Sequence, residues 1–279
     1  MAGAPVHTTS IDINADLGEG CPYDEEILGV VSSASVACGF HAGDPLTMVA
    51  TTAAAARRAV VVGAHPSYLD REGFGRTARS AAAPGEVSAV VAYQIGAMSA
   101  VCGLVGTSVS YVKLHGALYN QAASQASVAD EVLRAVASWV PPADTPLAVV
   151  SSLPVLCPPG SQIALRAASF GVTAFSEFFA DRAYNSDGTL ADRRVAGSLV
   201  HDATVVAERV RRLLVDGIVE TLQGTSLPLR ADSICVHGDT PGALELARCV
   251  RRAVEETGTE VAPFASRGRQ GVSPRRLPA

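Results

Sequence analysis

The feature that most restricts the fold is one local pattern repeated along the chain. Short apolar runs of strand character alternate with longer helical runs about seven times over the 279 residues. The expected strands are 10–16, 35–39, 60–65, 110–115, 147–152, 172–177 and 233–237. Asp44 and Pro45 open the helical segment "LTMVATTAAAARRA", and Pro84 and Gly106 bracket another in "APGEVSAVVAYQIGAMSAVCGLVG". "DATVVAERVRRLLVDGIVETL" and "PGALELARCVRRAVEETG" read the same way. Strand, loop and helix in repetition predict parallel strands joined by crossover helices, an α/β fold. No glycine-rich dinucleotide fingerprint follows the first strand, so a closed or nearly closed barrel fits better than an open sheet. "PPADTP" and "LPVLCPPG" read as local loops, and no linker divides the chain. We expect a single domain over 1–264 and a mobile basic tail over 265–279.

The first strand points to a site. In "SIDINADLGEG", Ile11, Ile13, Ala15 and Leu17 share one face, and Asp12, Asn14 and Asp16 share the other. Three polar side chains on one strand face are costly in a dry core, so that face looks into the mouth of the barrel. Functional groups of β/α barrels gather where strands end. The strand ends here carry Asp16 and Glu19, then His41 and Asp44, then His65. Later ends carry Lys113, His115 and Asn120, then Glu177, Asp181 and Arg182, then His237 and Asp239. Alternation puts Tyr111, Lys113 and His115 on one face, and Ser233, Cys235 and His237 on another. Taken singly, each residue has an ordinary reading. Asp44 and Asp239 suit helix N-caps, and Asp181 with Arg182 suits a surface ion pair. Together, four of the six histidines converge on one rim, which argues for a pocket.

Composition narrows the function. A net charge of −5 argues against a nucleic-acid partner. No apolar run approaches the roughly 20 residues that span a bilayer, so no membrane partner is expected. "MAGAPVHTTS" lacks the basic and apolar regions of a secretory signal. The six cysteines form no C-x-x-C pair, which suits a reducing, cytoplasmic setting. Of the 22 basic residues only Lys113 is a lysine, which suggests a place where arginine will not serve. No G-x-x-x-x-G-K-[ST] phosphate loop occurs.

The segments "DINADLGEG", "ACGFHAGDP", "GAHPSYLDREGFGR", "YQIGA", "VKLHGALYN", "EFFADRAYNSDGTLADR" and "CVHGD" resemble the LamB/YcsF family over nearly the whole chain. The resemblance implies a deformed, roughly seven-stranded β/α barrel related to polysaccharide deacetylases. It also implies ATP-dependent opening of 5-oxoproline to L-glutamate, carried out with the two other 5-oxoprolinase subunits, B and C. The family usually has Pro at Leu114 and Cys at Ala15, and both positions face away from the expected pocket.

On this reading Asp16, Glu19, His41, His65, Lys113 and His115 form the catalytic set. Asp12, Asn14, Asp44, Asn120, Glu177, Asp181, Arg182, His237 and Asp239 form the substrate-binding set. Lys113 is expected to neutralise charge on the substrate carboxylate or on a phosphorylated intermediate. Asp16, His41 and His65 suit a divalent metal, or metal-free acid–base chemistry. ATP binds this chain, an interface or a partner subunit. Two other functions compete: a stand-alone metal-dependent amidohydrolase or carbohydrate deacetylase, and a non-catalytic carrier of a small acid.

Overall fold

The alternating pattern folds into a ring of parallel strands wrapped by helices. The computed structural model describes residues 9–80, 83–140, 152–238 and 242–265. Its strands are β1 (Ser10–Leu17), β2 (Ser33–Ala37), β3 (Val61–His65), β4 (Val109–Lys113) and β5 (Val155–Cys157). They continue with β6 (Ala174–Phe179), β7 (Ile218–Glu220), β8 (Ser226–Pro228), β9 (Ser233–His237) and β10 (Glu260–Val261). β1 to β6 pair in sequence order, β9 pairs with β6, and β9 also pairs with β1, closing a seven-stranded parallel barrel. β10 adds to the start of β1, where Ser10 is in register with Glu260.

Closure explains two departures from the sequence pattern. The strand expected at 147–152 lies almost wholly outside the described residues. The ring is instead completed by β5, within the segment read as a loop. There Val112 N donates to Pro154 O and Val155 N donates to Thr173 O, so three apolar residues between two prolines serve as a strand. The helix expected to run through "DGIVETL" stops at Asp216, and β-branched Ile218 and Val219 turn into the antiparallel β7–β8 hairpin.

The helix Glu86–Leu104 corrects a third expectation. By length and mean hydropathy, 1.6, it is apolar enough to cross a membrane. Its buried residues Val87, Val91, Gln94, Ile95, Met98 and Cys102 follow helical spacing, and they pack on the barrel and its neighbouring helices.

The two faces of each strand do different work. Ile11, Ile13, Ala15 and Leu17 join the apolar layer between strands and helices. The opposite face looks into the lumen, which is filled in three tiers along the strand direction. The lowest contains Asp12, Ser33, Tyr111 and Ser233, with Asp12 accepting from Ser32 and Ser33 at 2.6 Å and from Ser233. Below the polar tiers, Tyr111, Leu156 and Phe264 form a small apolar plug, with Phe175 packed against it. Gly63 permits it, because a Cβ there would collide with the Tyr111 ring. Of the tail expected from 265 onward, everything past Ala265 lies outside the described residues.

Candidate active site

The middle tier is an ionic network. Lys113 Nζ lies 2.8 Å from Asp16 Oδ1, 2.8 Å from Glu177 Oε1 and 2.9 Å from Asn14 Oδ1. Asn14 Nδ2 donates to Glu177 Oε1 and Ser233 Oγ, and Tyr119 donates its hydroxyl to Glu177 Oε2 at 2.9 Å. Burial by itself would drive the Lys113 ammonium toward neutrality. Asp16 and Glu177 outweigh it and hold the pKa well above the usual lysine value. Burial likewise favours a neutral Asp16, but His65 and Lys113 keep its carboxyl well below the usual carboxylate range.

The upper tier is a cluster of imidazoles. His41 and His115 stack with ring centroids 3.7 Å apart, and His65 meets both edge-on. His65 Nδ1 donates to Lys113 O at 2.8 Å and His115 Nε2 donates to Phe74 O at 2.9 Å. His41 Nδ1 is 2.9 Å from Ser67 Oγ, and its Nε2 is 2.9 Å from Glu19 Oε1. Burial pushes the His41 imidazole down to about 4 despite that carboxylate. His65, where Asp16 overcomes the effect of burial, is raised. Burial would raise Glu19, but hydrogen bonds from His115 and His41 hold it below the usual carboxylate range. Gly75 allows the stack to close. Its φ is +67°, and a Cβ there would stand 2.8 Å from His115 Cδ2 and 2.9 Å from His41 Cβ.

Across the mouth, His237 Nδ1 lies 2.7 Å from Asp181 Oδ2, and Phe179 stacks on the His237 ring. Burial acts to raise Asp181, and the His237 contact more than reverses it. Arg182 donates through one terminal nitrogen to Ala191 O, and among the described residues its buried Nε has no partner. These groups border a cavity of about 750 Å³, lined by Asp16, Glu19, His115, Asn120, Arg182 and His237 among others. That size suits a small-molecule ligand.

Several expected site residues stand elsewhere. Asp12, Asn14, Lys113 and Glu177 lie too deep to line the cavity, and they form the framework under Asp16. The Lys113 ammonium is engaged by Asp16 and Glu177. Asp44 caps the helix Pro45–Arg57 by accepting from Thr47 N at 2.9 Å, and it borders a separate side cavity with Glu19 and His41. His65 lies behind His115. Asp239 is outside the described residues. Sequence reasoning missed Arg76, Tyr119, Arg193 and Arg194, which also line the cavity. The run "DRR" is a signal for the last two, but only the fold shows that their loop returns across the rim.

A closed parallel barrel with imidazoles, carboxylates and a guanidinium at its upper mouth is the deformed β/α barrel related to deacetylases. It shares its fold with a solved T48 deacetylase, with a TM-score of 0.50, 11% identity, and coverage of 94% of this chain and 92% of that one. The chain itself belongs to the LamB/YcsF family, whose match spans residues 11–269. The A component of the 5-oxoprolinase of Streptomyces avermitilis is 48% identical over 260 residues, covering 91% of this chain and 100% of that protein. A lactam utilization protein from Thermus thermophilus has a TM-score of 0.81 and 39% identity, over 91% of this chain and 99% of that one.

Proposed function

We propose that this chain is the A component of an ATP-dependent 5-oxoprolinase, opening the 5-oxoproline lactam to L-glutamate with subunits B and C. The observation that carries this reading is the shared cavity in which Asp16 faces the His237–Asp181 pair and Arg182. Near-full-length relatives named for that component support the substrate.

A five-membered lactam is a stable amide, so its opening gains from coupling to ATP. Phosphorylation of the amide oxygen activates the carbonyl carbon, and water adds there; expulsion of the ring nitrogen from that adduct leaves an acyl phosphate, which a second water hydrolyses to glutamate and phosphate. Asp16, held ionised by Lys113 and His65, accepts a proton from the attacking water. His237, oriented by Asp181, returns a proton to the ring nitrogen as the C–N bond breaks. Arg182 offers its unpartnered Nε–H to a carboxylate or phosphoryl oxygen. The ATP site lies on this chain, at an interface or on a partner subunit. All six cysteines are free thiols, which supports a cytoplasmic setting.

The test is glutamate release from 5-oxoproline by the assembled subunits. Release should require ATP and should fail when this chain is omitted. Full activity of B and C alone would overturn the proposal. ATP-independent deacetylation by this chain alone would support the deacetylase reading instead.

A further inference from the structure

Three imidazole nitrogens and one carboxylate oxygen point at a common centre beside the cavity floor. Glu19 Oε1 lies 2.9 Å from His41 Nε2, 3.3 Å from His115 Nδ1 and 3.7 Å from His65 Nε2. The His65 and His115 nitrogens are 3.0 Å apart, and all four atoms lie within 4.8 Å of one another.

The outer edge of each ring fixes its proton. A carbonyl oxygen only accepts, so His65 is protonated on Nδ1, toward Lys113 O, and His115 on Nε2, toward Phe74 O. The Ser67 hydroxyl donates to Tyr68 O and therefore accepts from His41 Nδ1. The three rings thus turn their inner nitrogens toward one another and toward Glu19. Donor atoms this close to one another and to a carboxylate repel unless a proton or a metal cation stands between them. The local charge agrees. In the middle and upper tiers, the buried side chains of Asp16, Glu19 and Glu177 face one ammonium, that of Lys113.

We propose that Glu19, His41, His65 and His115 bind one divalent transition-metal ion of the zinc class. Three imidazoles and a carboxylate are donors that Zn²⁺ accepts. A tetrahedron with arms of about 2.1 Å has edges of about 3.4 Å, within the spread of the separations given above. The hydrogen bonds on the outer nitrogens supply the orientation that metal-bound imidazoles need. A donor set dominated by nitrogen argues against Mg²⁺ or Ca²⁺, which take oxygen. This set differs from the Asp16, His41 and His65 grouping expected from the sequence, because Asp16 keeps one oxygen on Lys113. The site does not depend on which substrate the cavity takes.

The test uses the full chain, stripped of metal with a chelator and free of substrate. It is titrated with Zn²⁺ by calorimetry and with Co²⁺ by optical absorption. The expected result is one ion per chain, a Co²⁺ band of tetrahedral intensity with no thiolate charge transfer, and a Tm raised by Zn²⁺. His41→Asn and His115→Asn should each weaken Zn²⁺ binding by about tenfold or more, while Cys235→Ala should leave it unchanged. No saturable uptake would overturn the proposal and leave a proton shared between His65 and His115. A thiolate band, or loss of binding in Cys235→Ala, would overturn it in favour of Asp16, Cys235 and His237, a second group of potential ligands. If a histidine variant fails to fold, the Co²⁺ spectrum of the unaltered chain decides.

Discussion

Lys113 Nζ and Asp16 Oδ1 are 2.8 Å apart in the middle of the barrel, with both side chains almost wholly withdrawn from solvent. The ammonium comes from β4 and the carboxylate from β1, on opposite sides of the lumen. Closure of the ring is what brings them together. Removing one partner leaves the other charged and unmatched in a place of low polarity. Lys113→Met should therefore destabilise the protein by about 3–5 kcal/mol, read as a lower denaturant midpoint.

Asp16→Asn keeps an oxygen for Lys113 but takes away the proton acceptor. Glutamate release by the assembled subunits should fall by about a hundredfold or more. The denaturant midpoint should shift less than in Lys113→Met. Activity within a few fold of the parent protein would remove Asp16 from the chemistry.

Arg182→Gln addresses binding. Loss of a charge-assisted hydrogen bond of about 1.5–3 kcal/mol should raise KM for the acidic substrate by roughly ten- to a hundredfold. The effect on kcat should be smaller. Steady-state kinetics over a range of 5-oxoproline concentrations separates the two.

Asp24 provides a pH-dependent prediction. Burial raises its carboxyl to about 6, although Gly18 N donates to it at 2.8 Å. Its Oδ1 has no partner among the described residues. A carboxyl raised in the folded state ionises first in the unfolded chain, so stability is lost as pH rises from the ordinary aspartate value through about 6. Asp24→Asn should raise stability at pH 7 by on the order of 1 kcal/mol, discounted for partial exposure. At pH 4 the difference should nearly vanish. Thermal melts at both pH values check the sign.

The sequence pattern revealed faces but not depth. The period of two put Asp12, Asn14 and Asp16 on one side of β1, and the cross-barrel bonds of Asn14 to Glu177 and Ser233 agree with that side. It could not tell that Asp16 stands in the middle tier and Asp12 in the bottom one, because depth depends on register and closure. Lys113 stood out as a singular residue, but a lone lysine signals a special environment, not which anion it meets. Arg182 and His237 were legible because they stand just past β6 and at the end of β9, and Asn120 because its helix follows β4. Arg193 and Arg194 were not, since their loop folds back through the Arg182–Leu199 and Tyr184–Leu190 bridges, a non-local contact.

The plug of Tyr111, Phe264 and Phe175 makes the barrel blind at its lower end. Among the described residues, the rim is both doorway and exit. A partner that docks there to hand over an activated lactam would cork the vessel it has just filled. Glutamate would then wait for that partner to let go, and the speed of undocking would set a ceiling on turnover however fast the bond is cut.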